Sequence, residues 1–194
     1  MSRPLCGDCE RPLNACLCQW RRPTTNAAPL VMLQHPDEAR HAKNSAILLS
    51  LSLTQVTRHI GEQWPDSVLA ELLGSDRSSV LLYPETEDLP APPPLDNVLN
   101  ADALPQLVVL DATWRKSRKM LYLNPYLQRL PRLSLQQAFA SRYRIRRTRK
   151  PGQLSTLEAS CHALAQLEAD RVDYAPLLDA FEGFNEQQLA FRPD

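Results

Sequence analysis

Three apolar runs of four residues stand out along the chain: Leu30-Val31-Met32-Leu33, Val80-Leu81-Leu82-Tyr83 and Leu107-Val108-Val109-Leu110. Each is too short for a helix and ends in a polar or proline-bearing stretch, the pattern of a strand buried on both faces. Leu53 to Ile60 reads as a further strand, and Leu133–Leu135 and Tyr143–Ile145 as two short ones. Helical periodicity falls between them. Asp37 is placed to cap a helix from Glu38 to Leu49, Pro65 to Leu73 forms a second, and a basic helix runs to about Leu123. Ser155 with Glu158 three residues on has capping-box spacing, and Leu154, Leu157, Cys161, Leu164 and Leu167 give the helix that follows one apolar face. A last helix spans Tyr174 to Leu189. Strands alternating with helices predict an α/β fold with a largely parallel sheet. Residues 84–105 hold six prolines and several acids and are expected to form a loop.

A chain of 194 residues, 43% hydrophobic, fits one domain with a small appendage. The expected boundary separates a cysteine-rich head, residues 1–23, from a catalytic body, residues 24–194. The longest mostly apolar run, Ala46 to Leu53, is too short to cross a bilayer, and no secretion signal precedes Cys6. A cytoplasmic protein without membrane contact is therefore expected.

Charge changes the picture. The formal net charge is zero, yet residues 111–150 carry twelve Lys/Arg and one acid, Asp111. One basic face on an acidic body would steer a polyanion to one place. Arg115, Lys116 and Arg118 lie on the basic helix. If Tyr143–Ile145 is a strand, Arg142, Arg144 and Arg146 share one face, with Arg147 just beyond. A solvated face without a partner is the plainer reading of each cluster; two adjacent clusters without interleaved acids favour phosphate contact.

Two motifs carry chemistry. Cys6-x2-Cys9-x6-Cys16-x-Cys18 places four thiols within thirteen residues, enough to close a tetrahedral zinc shell. Disulfides are rare in a cytosolic setting, and so short a head cannot bury four thiols in a core of its own. With all four ligands from protein, such a site is structural. Cys161, on an apolar helix face, is expected to be core. The second motif is Asp111-Ala112-Thr113-Trp114 at the end of the strongest strand, where open α/β sheets bind ligands. Asp111 either serves a ligand there or merely caps the next helix. Gln34-His35-Pro36-x-Glu38-x-Arg40-x3-Asn44 follows the first strand and carries nothing by periodicity alone.

Taken together, these residues resemble the DTW domain family. The resemblance rests on Asp111, Thr113 and Trp114, on the four cysteines, and on Leu33-Gln34-His35-Pro36 with Glu38, Arg40 and Asn44. Tyr143-Arg144-Ile145-Arg146 and Leu154-Ser155-Thr156-x-Glu158-Ala159 complete it. It implies a SPOUT-like α/β sheet with a C-terminal trefoil knot that holds S-adenosylmethionine. It also implies transfer of the 3-amino-3-carboxypropyl group to N3 of a tRNA uridine, with release of methylthioadenosine. Asp111 would be the catalytic residue, as a base or as an orienting group. Gln34, His35, Tyr83, Pro84, Thr113, Trp114, Ser155, Thr156 and Glu158 would bind the donor. Arg115, Lys116, Arg118, Arg144, Arg146 and Arg147 would hold tRNA, and Cys6, Cys9, Cys16 and Cys18 zinc. An RNA methyltransferase using the same donor and a non-catalytic zinc-containing RNA-binding protein remain the alternatives.

Overall fold

Five strands form one parallel sheet in the order β2-β1-β4-β3-β5. They are β1 (Leu30–Gln34), β2 (Val56–Ile60), β3 (Ser79–Leu82), β4 (Gln106–Asp111) and β5 (Arg132–Leu133). The computed structural model describes residues 4–39, 41, 44–74, 79–86, 89, 91–96, 103–135 and 154–190. The expected strand at Tyr143–Ile145, with Arg144, Arg146 and Arg147, lies outside them.

The central strands are the apolar runs. Every residue of β1 and β4 is buried. Their side chains alternate between two apolar layers, as the pleat requires. Leu30, Met32, Leu107 and Val109 pack on one face with Leu48, Leu49, Leu157, Leu164, Phe181 and Phe184. Val31, Leu33, Val108 and Leu110 pack on the other with Leu69, Leu73, Met120 and Leu121. Helices therefore cover both faces, which is how parallel sheets escape water. The first face takes α2 (Ala46–Ser52), α6 (Thr156–Leu167) and α7 (Ala175–Ala190); the second takes α3 (Asp66–Leu73), α4 (Trp114–Leu123) and the short α5 (Pro125–Gln128).

The expected helix from Glu38 to Leu49 is in fact two pieces, a single turn α1 (Pro36–Ala39) and α2. The apolar pattern continues through the break, but Asn44 does not stay helical. Its Oδ1 accepts from the Ala46 N–H at 2.6 Å, so the side chain supplies a turn that starts a new helix. Asp37 is not a cap; it sits inside α1, with its N–H donating to His35 Nδ1 at 3.1 Å. The strand expected from Leu53 begins at Val56, and the one expected over Leu133–Leu135 is Arg132–Leu133.

Two buried polar devices fix the ends of α6. Ser155 Oγ accepts from Glu158 N–H at 3.2 Å while Glu158 Oε2 accepts from Ser155 N–H at 2.7 Å, the complete capping box. At the other end the buried Glu168 carboxylate accepts from the N–H groups of Ala27 and Ala28, both at 2.8 Å, and from the Tyr174 hydroxyl at 2.9 Å. Burial, with the Glu168 carboxylate beside it, pushes the Tyr174 phenol above its ordinary range.

Candidate active site and metal centre

From β1 the chain passes to β2 on one side; from β4 it passes beyond β3 to β5 on the other. The two strands where connections part in opposite directions are neighbours, so the crevice at their carboxyl ends is the expected ligand site. Gln34 and Asp111 end these strands as register partners. Both stand on the face covered by α6, because both share the parity of Met32 and Val109.

Asp111 is 5% exposed and accepts hydrogen bonds from three directions. Oδ2 accepts from Gln34 Nε2 at 2.7 Å and Asn44 Nδ2 at 2.9 Å. Oδ1 accepts from the Thr156 hydroxyl at 2.6 Å. Thus β1, β4, the turn before α2 and the start of α6 meet on one carboxylate. Asp111 does not cap α4, whose N-cap is Thr113. The bond to Asp111 also fixes the Gln34 amide orientation. Its nitrogen must donate, which leaves Oε1 buried and without a partner among the described residues.

Next to this hub, His35 Nδ1 accepts from Asp37 N–H, so its proton sits on Nε2, 3.2 Å from Glu62 Oε1. Glu62 also receives Lys119 Nζ at 2.9 Å, and this hydrogen bond holds its carboxyl below the usual range. Lys116 pairs with Asp37 at 2.9 Å and lies 4.0 Å from Glu38. Of the basic residues expected to face tRNA, Lys116 therefore has its charge matched within the protein. Arg115 and Arg118 are exposed. They share a face of α4 with Trp114, 49% exposed, and Tyr122, 79% exposed. Trp114 stands edge-on to Tyr83 at 5.6 Å between ring centroids, which links the ends of β3 and β4.

Gln34, Asp111 and Thr156 are thus directly bonded, and His35, Tyr83 and Trp114 occupy the adjoining strand ends. Pro84 and Thr113 are exposed beside them. Ser155 and Glu158 are bonded to each other in the capping box and shape the helix start. Asn44, Glu62 and Arg11 belong to the site's surroundings and were absent from the expected set. Asn44 stood in a motif, but a continuous helix hid its turn; Glu62 and Arg11 gave no local signal.

The four head cysteines converge, with all their sulfurs within 4.8 Å of one another. Cys6 and Cys18 Sγ are 3.7 Å apart, and Cys9 and Cys16 Sγ 3.8 Å. A tetrahedral zinc shell with bonds of about 2.3 Å has sulfur edges of about 3.8 Å, so the donor set fits zinc. These gaps are far longer than the ~2.05 Å of a disulfide, and all five cysteines are free. Backbone N–H groups of Cys9 and Asp8 lower the Cys6 thiol to about 7. Cys161 is core, and burial pushes its thiol up.

A parallel α/β body with a polar hub at its switch point, joined to a four-cysteine knuckle, is the class of protein this chain represents. The DTW domain family model matches residues 3–189, and the chain belongs to that family. It is similar to tRNA-uridine aminocarboxypropyltransferase 2 of Drosophila melanogaster, 31% identical over 86% of this chain and 68% of the relative. It is also similar to tRNA-uridine aminocarboxypropyltransferase 2 of Mus musculus, 31% identical over 96% of this chain and 64% of the relative. A third relative is tRNA-uridine aminocarboxypropyltransferase A of Arabidopsis thaliana, 29% identical over 61% of this chain and 50% of the relative. The chain thus spans about two thirds of the length of the two animal relatives. No solved structure matches it. Among the described residues, no helix is long and apolar enough to cross a membrane.

Proposed function

We propose that the protein transfers the 3-amino-3-carboxypropyl group of S-adenosylmethionine to N3 of a uridine in tRNA. The observation that carries this reading is the Asp111 hub at the crevice of β1 and β4, in a chain whose relatives bear that name. In the reaction, uridine N3 bonds to the donor's terminal propyl carbon as the carbon–sulfur bond breaks. Sulfur keeps the electron pair and leaves as methylthioadenosine, and the N3 proton departs to a base. The donor's sulfonium makes the attacked carbon electrophilic, so zinc has no chemical step to supply and serves as a structural centre. Asp111, fixed by three donors, presents an acceptor at the strand end where the N3–H would lie. The buried Gln34 Oε1 is free to accept from a ligand N–H, which supports a bound donor here. Tyr83, Trp114 and His35 would wall the crevice, and the N-terminus of α6 would face the donor's carboxylate.

The same reading assigns residues 1–23 to a zinc head and 24–194 to a SPOUT-like body with a C-terminal knot, acting on cytoplasmic tRNA. The exposed face of α4, with Arg115, Arg118 and Tyr122, would receive the RNA, and Arg144, Arg146 and Arg147 would extend it.

Donor labelled separately on its methyl group and on its carboxyl group tests the reaction. Carboxyl label should enter tRNA while the methyl label leaves on methylthioadenosine. Methyl label in tRNA would instead make the protein a methyltransferase, and no transfer of either label would leave a binding protein.

A further inference from the structure

We propose that Arg11 is a positioning residue that carries the placement of the four-cysteine head to the Asp111 carboxylate through Asn44. The inference rests on the function proposed above for its activity readout, and on geometry alone for its structural one.

Arg11 follows Cys9 by two residues, and the head holds it from both sides. Cys6 N–H donates to the Arg11 carbonyl at 2.7 Å, and Glu10 N–H donates to the Cys6 carbonyl at 2.9 Å. Glu10 between them has φ of 56°, the left-handed conformation that closes this tight turn. Where the Cys6–Cys9 loop sits therefore decides where the Arg11 side chain starts.

That side chain does not reach solvent. It is 7% exposed, its guanidinium lies 5.3 Å above the centroid of Phe184 on α7, and its Nη2 donates to the Asn44 carbonyl at 2.9 Å. The Asn44 carbonyl lies in the break between α1 and α2, outside either helix. Asn44 is itself buried, and a buried carbonyl outside regular structure needs a donor from elsewhere. Arg11 is that donor, from 33 residues away.

The side chain of Asn44 is equally committed. Nδ2 donates to the Glu38 carbonyl at 2.8 Å and to Asp111 Oδ2 at 2.9 Å, and Oδ1 accepts from Ala46. An unbroken series of bonds thus runs from the Cys6 loop through Arg11 and Asn44 to the carboxylate. A guanidinium suits this place because its flat face stacks on an aromatic ring while its edge donates. Merely anchoring the head does not require Arg11, since Trp20 and Gln187 already join head and α7.

The test compares Arg11→Met, which keeps the stem against Phe184 but removes the donor, with Arg11→Lys, which restores one donor. Zinc content, the NMR resonance of the Asn44 side-chain amide, and kcat and KM for tRNA are read on each. Arg11→Met should keep one zinc, shift the Asn44 amide and lower kcat by about 10- to 100-fold, the scale of a sub-ångström to ångström misplacement, with KM changed less than about threefold. Arg11→Lys should recover most of both effects. Chelation of zinc should move the Asn44 amide in the natural protein and not in Arg11→Met. A zinc-loaded Arg11→Met with natural kcat and an unmoved amide overturns the proposal. So does loss of zinc from both Arg11 variants, because the residue then serves only to hold the head. If the natural protein transfers no aminocarboxypropyl group, the proposed reaction fails, and the amide and chelation readouts still decide the role of Arg11.

Discussion

The Thr156 hydroxyl meets Asp111 Oδ1 at 2.6 Å, joining the first residue of α6 to the last residue of β4 across 45 positions of sequence. Gln34 and Asn44 hold the other oxygen. Four segments distant in sequence therefore depend on one buried carboxylate for their relative placement. A side chain so fixed keeps its direction toward the crevice without further ordering when a substrate arrives.

Asp111→Asn separates chemistry from architecture. Asparagine can keep the network in one orientation: its oxygen accepts from Gln34 and Asn44, and its amide donates to Thr156 Oγ, whose hydroxyl can turn to accept. The variant should fold and bind zinc, at a stability cost of about 1–2 kcal/mol for the altered bonds. Transfer activity should fall by roughly 10²–10⁴-fold, the size of a general-base contribution. Single-turnover rates at saturating donor check this, and a loss under about threefold would remove Asp111 from the chemistry.

The head should bind one zinc per chain. Cys16→Ser removes one of four converging sulfurs and should abolish stoichiometric zinc, read by elemental analysis of protein purified with reductant. Zinc requires thiolates, so protons compete with it. The Cys6 thiol is lowered to about 7 by backbone N–H groups. Apparent zinc affinity should therefore climb as pH rises through this region, and binding should release protons. Full occupancy in Cys16→Ser, or affinity independent of pH, would contradict a thiolate site.

Gly183→Ala should destabilise the protein, against helix propensity. In an open helix interior the change adds about 1 kcal/mol. Here a Cβ on Gly183 of α7 would run into the Trp20 ring, closer than any packing tolerates. Trp20 also donates through its indole N–H to Gln187 on the same helix, so it has no easy retreat. Overpacking of this kind costs about 1–3 kcal/mol. Thermal melts should show a lower Tm for Gly183→Ala alone. In a Trp20→Leu background, the same substitution should be neutral or stabilising. Equal effects in both backgrounds would mean that the ring contact does not decide the outcome.

The three central strands, β1, β4 and β3, were legible because each is a short apolar run closed by a turn, and parallel strands buried on both faces carry no other pattern. The start of α6 was legible because Ser155 and Glu158 make their bonds within four residues. Residues 36–52 misled for the opposite reason: apolar spacing runs on past the point where a single Asn44 side chain replaces a helical turn. Asp111 could be picked out as a lone acid at a strand end. That it meets Gln34 follows from register, and that it meets Thr156 from how α6 packs, neither of which local sequence encodes. Arg11 was silent because its partners lie on α7 and in the break before α2.

The exposed face of α4 gives the RNA reading its sharpest test, because it carries two kinds of contact that respond differently to salt. Arg115 and Arg118 are exposed on this face, and Lys116 and Lys119 pair with Asp37 and Glu62. Arg118→Gln should weaken tRNA binding and reduce the log–log salt slope by about one unit, as expected for one lost phosphate contact. Tyr122 is 79% exposed on the same face. Stacking on an unpaired base releases no counterions, so Tyr122→Ala should weaken binding by about 1–3 kcal/mol and leave the slope unchanged. Lys116→Gln should also weaken tRNA binding, since it removes the cation that pairs with Asp37 beside this face. Fluorescence anisotropy with tRNA across a salt series measures all three. If Arg118→Gln leaves the slope intact, or Tyr122→Ala leaves affinity intact, α4 does not face the RNA, and the +11 imbalance between residues 111 and 150 must act through the arginines beyond it.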